Sequence, residues 1–138
     1  MSYELRDHTA DVAVEATGET LDETFAAVAD GMAAAMCDEI PDAGERREIT
    51  VTAESREALL FDYLDELIYE RDVHAVLPVD NSATVTDDDA DDKWTLTGSY
   101  RGVPLSAVTA RDLKAVTYSE MDVSQTAAGW RAYVVFDV

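Results

Sequence analysis

Lysine is almost absent from this 138-residue chain: Lys93 and Lys114 are the only two, beside eight arginines and thirty acidic residues, for a formal net charge of −20. That balance argues against direct, non-specific nucleic-acid binding, because no stripe of lysine and arginine is available to release counterions from phosphates. Any connection to RNA is expected to run through a partner. Cysteine is represented by Cys37 alone, which excludes an intrachain disulfide and a cysteine zinc cluster. The first residues, MSYELRDH, contain no basic start followed by an apolar block, and nowhere do the ~18 consecutive apolar residues of a membrane helix occur. A soluble, cytoplasmic protein with no membrane partner is expected. Ser/His/Asp sets, glycine-rich nucleotide loops and zinc spacings are missing too.

What the chain does contain is acid and an ordinary supply of apolar side chains. At 47% apolar residues it has enough for one core, and its length suits a single domain over residues 1–138. So large an excess of one charge destabilises a compact fold through self-repulsion. At about 1 M salt the screening length falls to about 3 Å and the repulsion fades. The composition therefore predicts a salt-rich cytoplasm, as in a halophilic archaeon.

Thr20 is followed three residues later by Glu23, and Leu21, Phe25, Val28, Ala29, Met32 and Met36 then recur at helical spacing. This is a capping box opening an amphipathic helix. Ser55 offers a second N-cap, after which Leu59, Leu60, Tyr63, Leu64, Leu67 and Ile68 line one side and Glu57, Asp62, Asp65, Glu66 and Glu70 the other. Strands are expected around Ile49 to Val51, Val73 to Leu77, Trp94 to Tyr100, Leu113 to Tyr118 and Ala132 to Val138, with His74 a core or edge residue of the second. The acidic run TDDDADDK, Thr86 to Lys93, lacks the mid-loop glycine and closing glutamate of an EF-hand and reads as a solvated hairpin tip. The fold class is α+β: a two-layer arrangement with a mainly antiparallel sheet and two amphipathic helices packed on one face.

Two acid-bearing segments, a histidine and a lysine invite chemistry. In RDHTADVAVEA, Asp7 and Asp11 are four residues apart, a spacing that puts two side chains on one face, and Asp11 stands at the mouth of an apolar strand. At the other end, YVVFDV finishes with Asp137 one residue before the α-carboxylate of Val138. If the two strands are neighbours, Asp11, Asp137 and that carboxylate converge as hard oxygen ligands suited to Ca²⁺, Mg²⁺ or Mn²⁺; otherwise they are an N-terminal turn and an acidic chain end. His8 is either a metal ligand or proton shuttle, or a residue that caps the turn and orients a neighbour. Lys114, retained in a chain poor in lysine, either meets a phosphate, nucleotide or partner carboxylate, or joins an ordinary ion pair.

The segments DHTADVAVEATGETLDETF, LLFDYLDELIYERD and LKAVTYSEMDV, with a late Trp130 followed by VVFDV, resemble the archease family in order and approximate spacing. The resemblance covers nearly the whole chain outside the acidic middle. It implies an accessory protein without turnover of its own, which assists the RtcB-type RNA ligase in tRNA splicing. Such a protein promotes transfer of GMP from GTP to the ligase's active-site histidine, supports multiple turnover and broadens nucleotide use; tRNA is met only through the ligase. The family's metal site and essential lysine fall on Asp11, Asp137, the Val138 carboxylate and Lys114. Asp7 and His8 match the motif as further ligands or as groups that hold Asp11 in place. Where other members carry a more basic, histidine-containing run, this chain has RGVPLSAVTARD, so its partner surface is expected to differ. Two rivals are a small metal-dependent phosphoester hydrolase built on Asp7, His8, Asp11 and Asp137, and a general chaperone.

Charge repulsion on this scale predicts that the melting temperature rises steeply with KCl concentration. A thermal melt that stays flat from low salt to molar KCl would overturn the salt-adapted reading.

Overall fold

The protein's structure, a computed structural model, describes residues 2–8, 11–88 and 92–138, the side chains of residues 6–8 excepted. Helix α1, Leu21–Met36, begins where Thr20 in extended backbone accepts on its Oγ1 from the Glu23 backbone N–H at 3.1 Å, while the Glu23 carboxylate accepts from the Glu19 N–H at 3.0 Å. The reciprocal bonds satisfy donors that a helix start leaves unpaired. Phe25, Val28, Ala29, Met32 and Met36 are buried, as their spacing predicts, and Ala26, Ala27 and Ala33 are buried with them. Helix α2, Arg56–His74, starts from Ser55, whose Oγ accepts from the Ala58 N–H at 3.1 Å, and buries the expected apolar stripe from Leu59 to Ile68.

Among the described residues seven strands surround these helices: β1 Ser2–His8, β2 Asp11–Gly18, β3 Glu45–Ala53, β4 Val76–Asp88, β5 Lys93–Pro104, β6 Ala115–Thr126 and β7 Gly129–Asp137. They form two antiparallel sheets, one ordered β1-β2-β7-β6 and the other β3-β5-β4. The α+β class is as the sequence predicts, but two sheets replace the single one expected. The chain leaves the second sheet at Pro104, which has no N–H to extend a ladder. It re-enters the first at Ala115 after a short 3-10 turn, Leu105–Ala107, and seven residues without strand pairing. Helix α1 packs on β1, β2 and β7 of one sheet and β4 of the other, and α2 on β6 and on all three strands of the second sheet. One core joins them, with Phe25, Met32, Leu60, Tyr63, Leu96, Tyr100, Val134 and Phe136 fully buried.

The strand expected from Val73 to Leu77 needs correction at its start. Val73 and His74 belong to the last turn of α2, because Ala75 adopts the left-handed conformation (φ 53°) that stops the helix and gives its N–H to the Arg71 carbonyl. His74 is therefore an exposed helical residue with its Nε2 3.4 Å from Glu70 Oε2, not part of a strand. The segment from Ser2 to His8 is a strand, which its mixed composition conceals. The acidic hairpin is visible in the pairing of Asp88 with Lys93; the tip, residues 89–91, lies outside the described residues.

Strand β4 carries an irregularity between Val79 and Ser82, with Asp80 at a positive φ of 49°. The loosened backbone is held by Asp30 of α1, whose Oδ1 accepts from both the Asn81 backbone N–H and Asn81 Nδ2, each at 2.9 Å. Burial pushes the Asp30 carboxyl above its ordinary range, against the opposing pull of the two Asn81 bonds. The folded state therefore holds this proton more tightly than the unfolded chain, and the group's contribution to stability declines as pH rises from about 4 through the raised value. An asparagine at position 30 keeps an acceptor for both Asn81 bonds without the charge. The Tm of Asp30→Asn should match the parent near pH 4 and exceed it increasingly toward neutral pH. A gap that shrinks or turns negative over that range would contradict the assignment.

Candidate functional site

The first sheet brings the two ends of the chain to one edge. Strand β2 pairs antiparallel with β7 in a register that sets Asp11 opposite Asp137, Val12 opposite Phe136, and so on to Gly18 opposite Trp130. Directly paired residues in such a ladder have Cβ atoms about 4.5–5.5 Å apart. On its other side Asp137 pairs with Ala115 of β6, and its carbonyl accepts from the Lys114 backbone N–H at 2.8 Å. On the far flank of β2, His8 of β1 pairs with Asp11. One row across four strands thus holds His8, Asp11, Asp137 and Ala115, with Lys114 and Val138 one residue beyond it.

Side-chain alternation decides which groups meet. In β7, Ala132, Val134 and Phe136 belong to the core, so Arg131, Tyr133, Val135 and Asp137 occupy the opposite face, as do Asp11, Ala13 and Glu15 in β2. Asp11 is half-buried; Asp137, Val138 and Lys114 are exposed. In the β1–β2 ladder Asp7 is paired with Val12. The side chains of Asp7 and His8 lie outside the described residues.

Farther along this outer face, Arg131 ties the strands together. Its Nη2 lies 2.6 Å from Glu15 Oε2, its Nη1 3.2 Å from Asp122 Oδ2, and its guanidinium 5.6 Å from the Tyr133 ring centroid. Ala13 and Val135, a cross-strand pair, are buried on this side with 0% and 1% exposure. A packed, ion-paired patch therefore separates the carboxylate end of the face from the other end, and Asp11 and Asp137 rise from a stiff base.

The chain compares closely with known proteins over its whole length. The model of the Archease protein family (MTH1598/TM1083) matches residues 3–138. The archeases of Methanosarcina mazei and Archaeoglobus fulgidus are each 33% identical, over 99% and 100% of this chain and 95% and 100% of their own. The chain belongs to the archease family. The solution structure of Protein 1598 of Methanobacterium thermoautotrophicum superposes with a TM-score of 0.82 at 32% identity, covering 99% of both chains. The archease of Thermotoga maritima, described as a possible chaperone, shares the fold, with a TM-score of 0.63 at 21% identity.

Asp11 and Asp137, paired across adjacent strands, carry carboxylates of the hard oxygen type that a divalent cation takes, while among the described residues no three His, Cys, Asp or Glu side chains gather as a metal site. Beyond the residues named from sequence, the archease fold adds Arg71 and Arg111, which fasten the segment leading into Lys114. No spacing or composition signal marks these two among the arginines. Among the described residues no helix is long and apolar enough to cross a membrane.

Proposed function

We propose that this archease is an accessory activator of an RtcB-type RNA ligase in tRNA splicing, promoting guanylylation of the ligase's histidine and so its multiple turnover. The observation that carries the reading is the register pair Asp11–Asp137, with the Lys114 N–H bonded to the Asp137 carbonyl on the neighbouring strand. Asp11, Asp137 and the Val138 carboxylate would hold a divalent cation of the Ca²⁺, Mg²⁺ or Mn²⁺ type. Such an ion, when bound, supplies Lewis-acid stabilisation to phosphate oxygens. Lys114 adds a compact point charge with three donors on a flexible stem, able to reach an oxygen of the nucleotide or its pyrophosphate leaving group. The register that sets Asp11 opposite Asp137, and the bond from the Lys114 N–H to the Asp137 carbonyl, support a site in which little reorganisation is needed on docking.

The protein itself needs no nucleophile in this scheme, in keeping with an accessory role. Cytoplasmic residence follows from the partner, since the ligase acts on tRNA halves.

In molar KCl with the cognate ligase, Asp11→Ala, Asp137→Ala and Lys114→Ala should each lower the stimulated guanylylation rate by about 10²-fold, the scale of one lost transition-state contact. Their thermal melts should stay close to the parent's. Full stimulation by all three variants would overturn the assignment. Hydrolysis of a phosphoester by the isolated protein with Mn²⁺, abolished in Asp137→Ala, would favour the hydrolase instead.

A further inference from the structure

Residues 109–114 have neither helix nor strand pairing, yet they must deliver Lys114 to a fixed place beside Asp137. Core packing does not hold most of this segment. Clefts of about 610 and 450 Å³ open against residues 106–112, and Thr109 to Asp112 are all exposed. Leu113, with 1% exposure, is its one anchor in the core.

What holds the segment instead is arginine. Arg71, in the last turn of α2, is the only buried arginine among the described residues, at 8% exposure. Its Nη1 donates to the Leu113 carbonyl at 2.8 Å and lies 3.3 Å from Met36 Sδ. Its Nε donates to Asp72 Oδ1 at 3.0 Å, and Nη2 stands 4.0 Å from Asp112 Oδ1. Arg111 fastens the same segment to the end of α1: its backbone N–H donates to the Met36 carbonyl at 2.6 Å, and its guanidinium to the Ala35 carbonyl at 3.0 and 3.1 Å. Thus the C-terminal ends of both helices are tied to one irregular stretch, and that stretch ends at Lys114.

We infer that Arg71 is a positioning residue for Lys114, fixing the Leu113 carbonyl so that the next residue's N–H meets the Asp137 carbonyl and its ammonium is presented beside the carboxylates. The inference rests on the role of Lys114 under the proposed function. Packing alone does not ask for an arginine here. An apolar side chain of similar length would cover Met36 and Leu113 without dehydrating a charge, and replacing buried ions by apolar groups is commonly neutral or stabilising. A donor is what the Leu113 carbonyl requires, since a buried carbonyl without one carries a desolvation penalty. Nor does Arg71 merely complement the dipole of its own helix, because its Nη1 bond goes to a residue 42 positions away.

The test is a double-mutant cycle on ligase stimulation in molar KCl. Arg71→Met should lower the maximal guanylylation rate at least tenfold, while leaving unchanged both the archease concentration for half-maximal effect and the affinity for Tb³⁺ read by luminescence. Arg71→Lys, which keeps one donor, should recover part of the rate and carries the test if Arg71→Met does not fold. In a Lys114→Ala background the Arg71 substitution should cost nothing more. Full stimulation by Arg71→Met, or an equal additional loss in the Lys114→Ala background, overturns the positioning role. Full stimulation by Lys114→Ala alone overturns the functional reading itself, which keeps the two failures distinct.

Discussion

The antiparallel ladder between β2 and β7 is the constraint on which the site and half of the core depend. It joins a strand near the start of the chain to the last one, and the two faces of that ladder have different duties. One face sends Val14, Ala16, Ala132, Val134 and Phe136 into the core beneath the helices. The other carries Asp11 and Asp137 at one end, the buried pair Ala13 and Val135 behind them, and Glu15 with Arg131 beyond. Because side chains alternate strictly, the burial that drives the pairing also dictates that both carboxylates stand on the same side.

Arginine is spent in this protein chiefly on internal ties. Arg46 meets Asp80 at 2.7 Å and Ser99 at 2.8 Å, Arg101 donates to the Pro41 and Ala43 carbonyls, Arg131 spans Glu15 and Asp122, and Arg71 and Arg111 secure the crossing between the sheets. A planar guanidinium with several donors suits such multiple bonding better than a lysine ammonium. Exposed ion pairs among these contribute little each. The lysine that stands at the site is a different instrument: a flexible point charge at the exit of a segment that arginines hold still.

Much of the fold was legible in the residues because local signals agreed with tertiary demands. Thr20 and Ser55 announce both helices, and the apolar spacing after each names the buried side chains. Legibility failed where tertiary structure overrode local preference. Val73 and His74 read as β-rich, yet the helix continues one turn further because Ala75 accepts a left-handed backbone and nothing breaks the ladder earlier. Strand β1 has Arg6, Asp7 and His8 in place of apolar alternation, and only its pairing with β2 reveals it. The division into two sheets is likewise invisible in sequence, since it depends on where the chain crosses after Pro104. The candidate site was half legible: Asp11 and Asp137 are recognisable as acids at strand ends, but their adjacency is a property of topology, and Arg71 looks like any other helical arginine.

Register is what converts that topology into a site, and it is fixed far from the carboxylates. At the opposite end of the β2–β7 ladder, Gly129 has a φ of 144° and approaches the Gly18 carbonyl so closely that a Cβ on it would collide there, while a Cβ on Gly18 would lie 2.7 Å from Thr24 Oγ1. The β6–β7 turn, the end of β2 and the first turn of α1 therefore interlock through the absence of two side chains. A slip of one residue in this ladder would move every β7 side chain to the other face. It would bury Asp137 against the helices and turn Phe136 out to water, at a cost no ion pair on the surface repays. The glycines at one end and the apolar alternation along the strands thus leave a single arrangement in which Asp137 faces Asp11.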